Sequence, residues 1–597
     1  MKANTKICSA STVLLPSDSE DKHRGYCRDR HLALRFSYGL FLVIGMALCS
    51  CSRADNAGFE YGSIYSPTCT PDFQKANNVG NIDYDWGLWG HNLGKALGPN
   101  LPEEAFAFDG KRRDRTQYCF SSEQVYRRLV NFILNEYGDG TQAPSRFVIM
   151  PNDNSLVCQC ALCKAAGNTL TSATPAISRL ITRLAKRFPH HTFFTSSYAS
   201  VKEPPKDRMP GNVGVIISAM DLPYTADLEG KAATKAFENL LDRWKKTVGK
   251  IYIWDYMRNF DDYLSPYPCL NILQGRFKWY LAQGVSGVIL NGSGDDYAAF
   301  DDMQTSVLAK LLKDPGRDIA SLVREYYEKY YPVSGKAVAD YYLSLEDMAA
   351  KDPGGIPYYG GIGDEVKAYL KPSSFLEFNG QLDRASKSIK GDERRRLNML
   401  LTGFNYTQLE LIRAGLEKYD PENVATCLID LEGARELKDM KVYREAHGLL
   451  SDYIQYYRSY PPKRIHSDKV TCNVSALTDG LEGSAYDYHT NWVISPKKTT
   501  SYIVSSKGSL SQLSLGCLQA PVWHIYAPAR IEILENGKQT GVVSQPSETR
   551  PQSGGDFQHL TYILPLKGKG NGKGQIELRI IAPEKDGRVT VACDEIH

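Results

Sequence analysis

The sequence predicts a multidomain protein: an α/β domain of the TIM-like kind with an incomplete barrel, then a helical bundle, then a C-terminal β-sandwich of jelly-roll type. Three observations predict this. Short apolar strands alternate with amphipathic helices up to about residue 335, strand patterns vanish up to about 468, and from 469 the hydrophobic period switches to two. A chain of 597 residues also exceeds what one hydrophobic core usually organises.

The N-terminus reads as an address. Phe36–Leu48 is a run of 13 residues with one polar member, Ser37, and it follows Arg28, Arg30 and Arg35. It is too short for a stable membrane span and fits the hydrophobic stretch of a secretory signal. It ends in Leu48-Cys49-Ser50-Cys51, which resembles a bacterial lipobox, so residues 1–51 are expected to be a signal peptide and Cys51 the lipidated residue. A plain signal peptide cut nearby is the alternative. Both predict export: to the outer membrane or cell surface as a lipoprotein, or to the periplasm. The lipid is then the expected membrane contact.

Residues 54–335 carry the α/β pattern. The strand candidates are Phe147–Met150, Thr192–Tyr198, Val213–Ser218, Ile251–Trp254 and Val288–Leu290, with a weaker one over Trp86–His91. Between them lie helices such as Ser121–Tyr137, where Ser121 and Gln124 form a capping-box pattern and Val125, Leu129 and Ile133 share one face. Alternation of this kind implies parallel pairing. About six strands are countable, two fewer than a complete eightfold barrel.

Residues 336–468 repeat Leu397, Leu400, Leu401, Phe404 and Leu411 at helical spacing, flanked by Glu393 and Arg394–Arg396, and end at Pro461-Pro462. In residues 469–597, Ile576, Leu578 and Ile580 alternate with polar partners, as do Val589, Val591 and Cys593. Asn536-Gly537 supplies a hairpin turn. Cys472, Cys517 and Cys593 are odd in number, so at most one pair forms there.

Composition excludes some functions. Lys plus Arg total 71 against 68 Asp plus Glu, a net charge of +3 with no concentrated basic stripe, so no nucleic-acid partner is expected. No phosphate-cradling glycine loop, His-Glu-x-x-His or Gly-x-Ser-x-Gly elbow occurs. No organic cofactor is implied. The 37 Tyr and 7 Trp tilt toward ring surfaces that stack on sugars, although a large core uses Tyr as well.

Several stretches together resemble one family: Trp89-Gly90-His91-Asn92, Phe108-Asp109-Gly110-Lys111-Arg112, Cys119, Pro151-Asn152-Asp153, Cys158-x-Cys160-x-x-Cys163 and Ile253-Trp254-Asp255-Tyr256. They look like the bacterial surface and secreted proteins known as the domain of unknown function DUF4838. The resemblance runs from about residue 84 into the helical region. It implies a barrel related to glycoside hydrolases followed by a helical segment. Members usually carry further barrel strands, and often another domain, before the Trp-His segment, whereas here the expected signal is followed almost at once by it, so an incomplete or reorganised barrel is expected. In the C-terminal domain, Leu477-Thr478-Asp479-Gly480 followed by Asn491-Trp492 resembles the opening of galactose-binding-like modules, which either bind sugars at one end or pack against a neighbour.

Cys119, Cys158, Cys160 and Cys163 could close a tetrahedron around zinc. The spacing is similar to the structural zinc site of the barrel β-galactosidases of glycoside hydrolase family 42. Two disulfides or free thiols are the alternatives. A four-thiolate site has no open position and would hold a loop.

Reactive groups of parallel barrels sit at the C-terminal strand ends. There the sequence places His91, Asp153, Tyr198, Asp221, Asp255, Asp295 and Asp296. Glycoside hydrolysis needs a carboxylic acid and a second carboxylate. The expected general acid is Asp153 and the expected base or nucleophile is Asp255; Asp153 is equally suited to capping the next helix. His91, Asn152, Tyr198, Trp254, Tyr256, Asn291 and Asp295 are the expected sugar-contacting residues. The two readings are a surface-anchored glycoside hydrolase-like enzyme and a non-catalytic carbohydrate-binding lipoprotein with a degenerate barrel.

Overall fold

The computed structural model describes residues 58–434, 440–445, 448–458, 470–484, 488–551, 557–567, 575–584 and 589–597. The expected signal segment with Cys51 and the expected Pro461-Pro462 linker lie outside the described residues.

The first domain is built on six parallel strands: β1 Tyr61–Tyr65, β2 Arg146–Val148, β3 Thr192–Ser197, β4 Val213–Ser218, β5 Lys250–Tyr256 and β6 Gly287–Asn291. Their order is β1-β6-β5-β4-β3-β2. From β2 to β6 each strand pairs with its chain neighbour, and β1 returns to pair with β6. Runs such as Val213-Gly214-Val215-Ile216-Ile217 are buried on both faces, as expected where helices cover a parallel sheet.

The two outer edges, on β1 and β2, are bridged by one short segment. Gly80 donates to Gly62 at 2.7 Å and accepts from Ile64 at 3.1 Å, along β1. Gly87 donates to Arg146 at 2.9 Å and Leu88 accepts from Val148 at 2.8 Å, along β2. Residues 80–88 thus stand where a full barrel has its remaining strands. A side chain at Gly87 would collide with the Phe147 ring, so glycine permits this approach. The interior is filled by Tyr61, Ile82, Trp86, Val148, Phe194, Ile216, Tyr252 and Ile289.

The incomplete α/β barrel expected from the sequence is therefore present, with one correction. Trp86–His91 is not a strand; it makes a single parallel bridge, Leu88 to Phe147. The strand that completes six is Tyr61–Tyr65, whose Gly62-Ser63 core hides its apolar period. The helix expected from Ser121 begins at Glu123 with Ser122 as N-cap. The Ser121 hydroxyl instead accepts from the Cys163 thiol at 3.2 Å. Val125, Leu129 and Ile133 form the buried stripe, as their spacing requires.

The next region is helical, with Gly335–Lys351, Pro372–Ser386, Gly391–Arg413, Pro421–Ala434 and Leu450–Tyr457 among its helices. It also contains a small antiparallel hairpin, Val442–Arg444 with Gly448–Leu449, where no strand pattern is readable. The C-terminal domain pairs two five-stranded antiparallel sheets. Val504, Ile533 and Leu578 of one sheet and Leu515, Tyr562 and Val591 of the other share one core. The Asn536-Gly537 turn joins Arg530–Glu535 to Lys538–Val543, both turn residues at positive φ. Cys517 and Cys593 face each other across paired strands with Sγ atoms 3.7 Å apart.

No helix among the described residues is long and apolar enough to cross a membrane.

Candidate functional site

Four residues after Ile149, beyond the end of β2, the chain presents Asp153. The Tyr198 hydroxyl, one residue past β3, donates to its Oδ1 at 3.1 Å. Its Oδ2 is buried and accepts no hydrogen bond. Burial pushes the Asp153 carboxyl above its ordinary range, against the opposing pull of His91 and the Tyr198 bond. His91 is fixed in turn by its Nδ1, 2.6 Å from the Pro151 carbonyl, and its ring lies 5.8 Å from that of Tyr198. Three of the expected residues, His91, Asp153 and Tyr198, therefore meet.

Asn152 serves the loop. Its side-chain amide donates to the Thr116 carbonyl at 2.9 Å, and its backbone N–H donates to Gln117 Oε1 at 3.1 Å. These bonds tie the Asp153 loop to the hairpin Phe106–Phe108/Arg113–Tyr118, whose turn is the Phe108–Arg112 motif. Asp109 Oδ1 caps that turn by accepting from the Lys111 and Arg112 N–H groups at 2.6 and 2.8 Å.

Rings form a shelf at the same end of the sheet. Trp254 is half-buried and stacks on Trp89 at 6.1 Å and 20°. Tyr65, at the end of β1, meets Trp89 edge-on at 5.2 Å. The Trp89 indole N–H donates to Asp83 at 3.0 Å. Asp295 is exposed on the loop after β6, and its charge helps raise the Tyr65 hydroxyl pKa, after burial and Asp83. Tyr256 and Asn291 are core residues, contrary to their expected role. Tyr256 is buried, with its hydroxyl 3.0 Å from Ser218 Oγ and its carbonyl accepting from Tyr224 at 2.7 Å. Asn291 is buried and its carbonyl accepts from the Met257 N–H at 3.0 Å. Asp221 lies apart, paired with Lys202 at 2.6 Å.

Asp255 is the main correction. It does not project over the strand ends; it is fully enclosed. Its Oδ1 accepts from Arg276 at 2.5 Å and its Oδ2 from the Tyr280 hydroxyl at 2.6 Å, both on helix Leu270–Ala282. The reason is the strand period of two. Trp254 faces the sheet's inner side, so Asp255 must face the helix layer. Arg276 also donates to the Leu222 and Pro223 carbonyls and lies 4.6 Å over the Tyr224 ring.

Other carboxyls, not singled out from the sequence, reach the Asp153 end. Glu445 follows strand Val442–Arg444, and its N–H donates to the Phe260 carbonyl at 2.8 Å. The Tyr263 N–H donates to the Tyr443 carbonyl at 2.7 Å, so the hairpin is pinned to the loop after β5. The Tyr359 hydroxyl donates to Glu445 Oε2 at 3.2 Å. Burial pushes the Glu445 carboxyl up to about 8; Tyr359 opposes this, and the charges of Asp261 and Asp153 add to it. Asp261 is held by the Tyr488 hydroxyl at 2.7 Å and His489 Nε2 at 2.9 Å, both from the sandwich domain. No local motif marks Glu445, which is distant in sequence and lies in a region without a readable strand pattern.

The four cysteines converge as their spacing suggested. Their sulfurs lie within 4.8 Å of one another and all four residues are buried. Cys119 Sγ is 3.7 Å from both Cys160 Sγ and Cys163 Sγ, whereas a disulfide needs about 2.05 Å. A tetrahedron with metal–sulfur bonds of about 2.3 Å has edges of about 3.8 Å, so the arrangement fits a metal. The Phe108 N–H donates to Cys158 Sγ at 3.3 Å, as backbone groups do toward a thiolate ligand. A second cluster, Glu482, His559 and Asp594, has the Arg550 guanidinium against Glu482 and 3.2 Å from His559 Nδ1, so a cation already serves it.

Residues 49–343 match the family model described as a domain of unknown function, DUF4838. This part of the chain is a DUF4838 domain. No curated protein matches the chain. Among solved structures, it is similar to a GH138 enzyme targeting pectin rhamnogalacturonan II, at 8% identity and a TM-score of 0.31, covering 91% of this chain and 86% of that one.

The DUF4838 domain holds the six strands, the cysteine cluster, Asp153 and the ring shelf. Glu445 and the Tyr488–His489 pair reach its end from outside it. The sandwich residues Asp479, Asn491 and Trp492 line a cavity of about 380 Å3 whose other wall is helical, including Ile362, Lys367 and Arg413. That end of the sandwich is therefore docked on the helical region.

Proposed function

We propose that this protein is a surface-anchored, glycoside hydrolase-like enzyme acting on a complex polysaccharide or glycan, with the Asp153 carboxyl at the heart of the site. One observation carries the reading. Asp153 keeps a buried oxygen without a donor, at the C-terminal end of a parallel sheet that also carries the Trp89–Trp254 stack. A carboxyl so held binds protons more tightly than one in water, which suits it to exchange a proton with a glycosidic oxygen or a water. Tyr198 orients it, His91 moderates its charge, and the rings offer flat faces to pyranose C–H groups. Asp295 supplies a polar group at the rim.

Lipidation of Cys51 would hold the enzyme at the bacterial outer membrane or cell surface. Zinc suits the cysteine cluster. Bound by four thiolates it would be closed to water, and it would brace the Phe106–Tyr118 hairpin against the Asp153 loop.

The enclosure of Asp255 favours a second reading, a non-catalytic carbohydrate-binding lipoprotein, because it withdraws one of the two expected carboxylates. A panel of polysaccharides incubated with wild type and Asp153→Asn separates the two. Reducing ends released by wild type and lost in the variant support the enzyme. Binding by both proteins with no turnover of any glycan overturns it in favour of the binder.

A further inference from the structure

We propose that Glu445, contributed by the helical region, is the catalytic acid that works with Asp153. The inference rests on the hydrolase reading above and supplies the second carboxyl that Asp255 cannot. Tyr443 of the Val442–Arg444 hairpin packs in the helical core against Tyr406 and Tyr453, and two backbone bonds clamp the hairpin on the loop after β5, through Phe260 and Tyr263. The clamp delivers one acidic side chain to the end of the sheet, where Tyr359 holds Oε2 by donating to it. Arg444, its chain neighbour, lies 5.8 Å over Trp523 and 5.9 Å over Phe557 of the sandwich. Val442, Tyr359 and the shelf residue Trp254 all pack against one buried cluster that includes Tyr256, Phe260 and Tyr263. The charges of Asp153 and Asp261 both reach Glu445 and favour its protonated form, as does burial. Asp153 keeps an oxygen without a donor, ready to accept a proton.

In the step this arrangement supports, the Glu445 carboxyl gives its proton to the glycosidic oxygen as the bond from that oxygen to the anomeric carbon breaks. The bonding electron pair stays on the departing oxygen. A water oxygen attacks the anomeric carbon and its proton passes to the Asp153 carboxylate. Return of that proton from Asp153 to Glu445 through solvent restores both groups, and the net reaction is hydrolysis.

The test compares wild type, Glu445→Gln and Asp153→Asn on the polysaccharide that wild type cleaves and on the glycosyl fluoride of the same sugar. Fluoride leaves without a proton. Expected for Glu445→Gln is a loss of about 10²- to 10⁴-fold on the polysaccharide with at most about tenfold loss on the fluoride. The ratio within one protein sample is insensitive to partial misfolding. Equal losses on both substrates, or none on either, overturn the role of Glu445 and leave the hydrolase reading standing. If wild type binds glycans but cleaves neither polysaccharides nor fluorides, the hydrolase reading falls and this assignment with it.

Discussion

The Tyr488 hydroxyl of the sandwich donates to Asp261 Oδ2, beyond the end of β5, at 2.7 Å, joining residues 227 positions apart in the chain. His489 approaches the same oxygen at 2.9 Å, and the His489 ring packs on Gly361 of the helical region. The sandwich is thereby docked at the candidate site. Tyr488→Phe removes one hydrogen bond to a charged group and should cost about 2 kcal/mol in chemical denaturation. An unchanged unfolding midpoint would show that the contact does not hold the domains together.

Asp255 and Arg276 are both fully buried, so each neutralises the other where water cannot. Asp255→Ala strands the guanidinium and should destabilise the fold by about 3–5 kcal/mol. Asp255→Leu combined with Arg276→Met removes both charges and should recover most of that loss. A double variant no better than the singles would contradict the structural role given to the pair.

At the cysteine cluster, purified protein should contain about one zinc per chain, since four sulfurs at tetrahedral spacing leave no ligand to add. Elemental analysis checks this, with Cys160→Ser as the control that loses metal and lowers the melting temperature. Metal-free protein without titratable thiols would instead mean that the cluster oxidises to disulfides.

Protonation of Glu445 should be visible in stability. Its carboxyl sits at about 8 through burial, with Tyr359 opposing and Asp261 and Asp153 reinforcing, while His489 faces Asp261. Asp262, buried near Glu410, is raised as well. A raised carboxyl is tightest in the fold when protonated, so its contribution is complete below the ordinary carboxylate range and disappears as pH climbs through about 8. The melting temperature should therefore fall from about pH 5 to about pH 9, and less steeply in Glu445→Gln. Parallel curves for the two proteins would refute the placement of this group.

Trp254 offers the ring that lies half-open on the shelf. Trp254→Ala should weaken glycan binding by about tenfold, while Trp254→Phe retains most of it, because the loss is of a stacking face. Calorimetric titration with the polysaccharide found in the panel measures it. Equal affinity in Trp254→Ala would remove the shelf from the site.

Much of this molecule is legible along the chain. Val213–Ser218 forms a strand with the bounds its apolar run suggests, because a strand buried on both faces has no polar period to blur it. The cysteine spacing leads to a true cluster, since three of its members share one short loop. Asp153 and Tyr198 follow neighbouring strands, so reading strand ends in order brings them together. The same reading misleads for Asp255. Counting to the end of a strand finds the right height but not the right side, and one residue separates the inner face from the helix layer. Tyr61–Tyr65 escapes such a reading because Gly62 and Ser63 interrupt its apolar residues.

What the sequence by itself determined was the succession of domains, the cysteine cluster and one acidic residue at a strand end, all set by local period and short spacing. Only the tertiary structure decided which acidic groups share the Asp153 end. Glu445 arrives on a hairpin of another region, clamped by backbone bonds to Phe260 and Tyr263, and Asp255 turns away to meet Arg276. Such pairings are made by long-range packing and desolvation, and neither leaves a trace in the residues nearby along the chain.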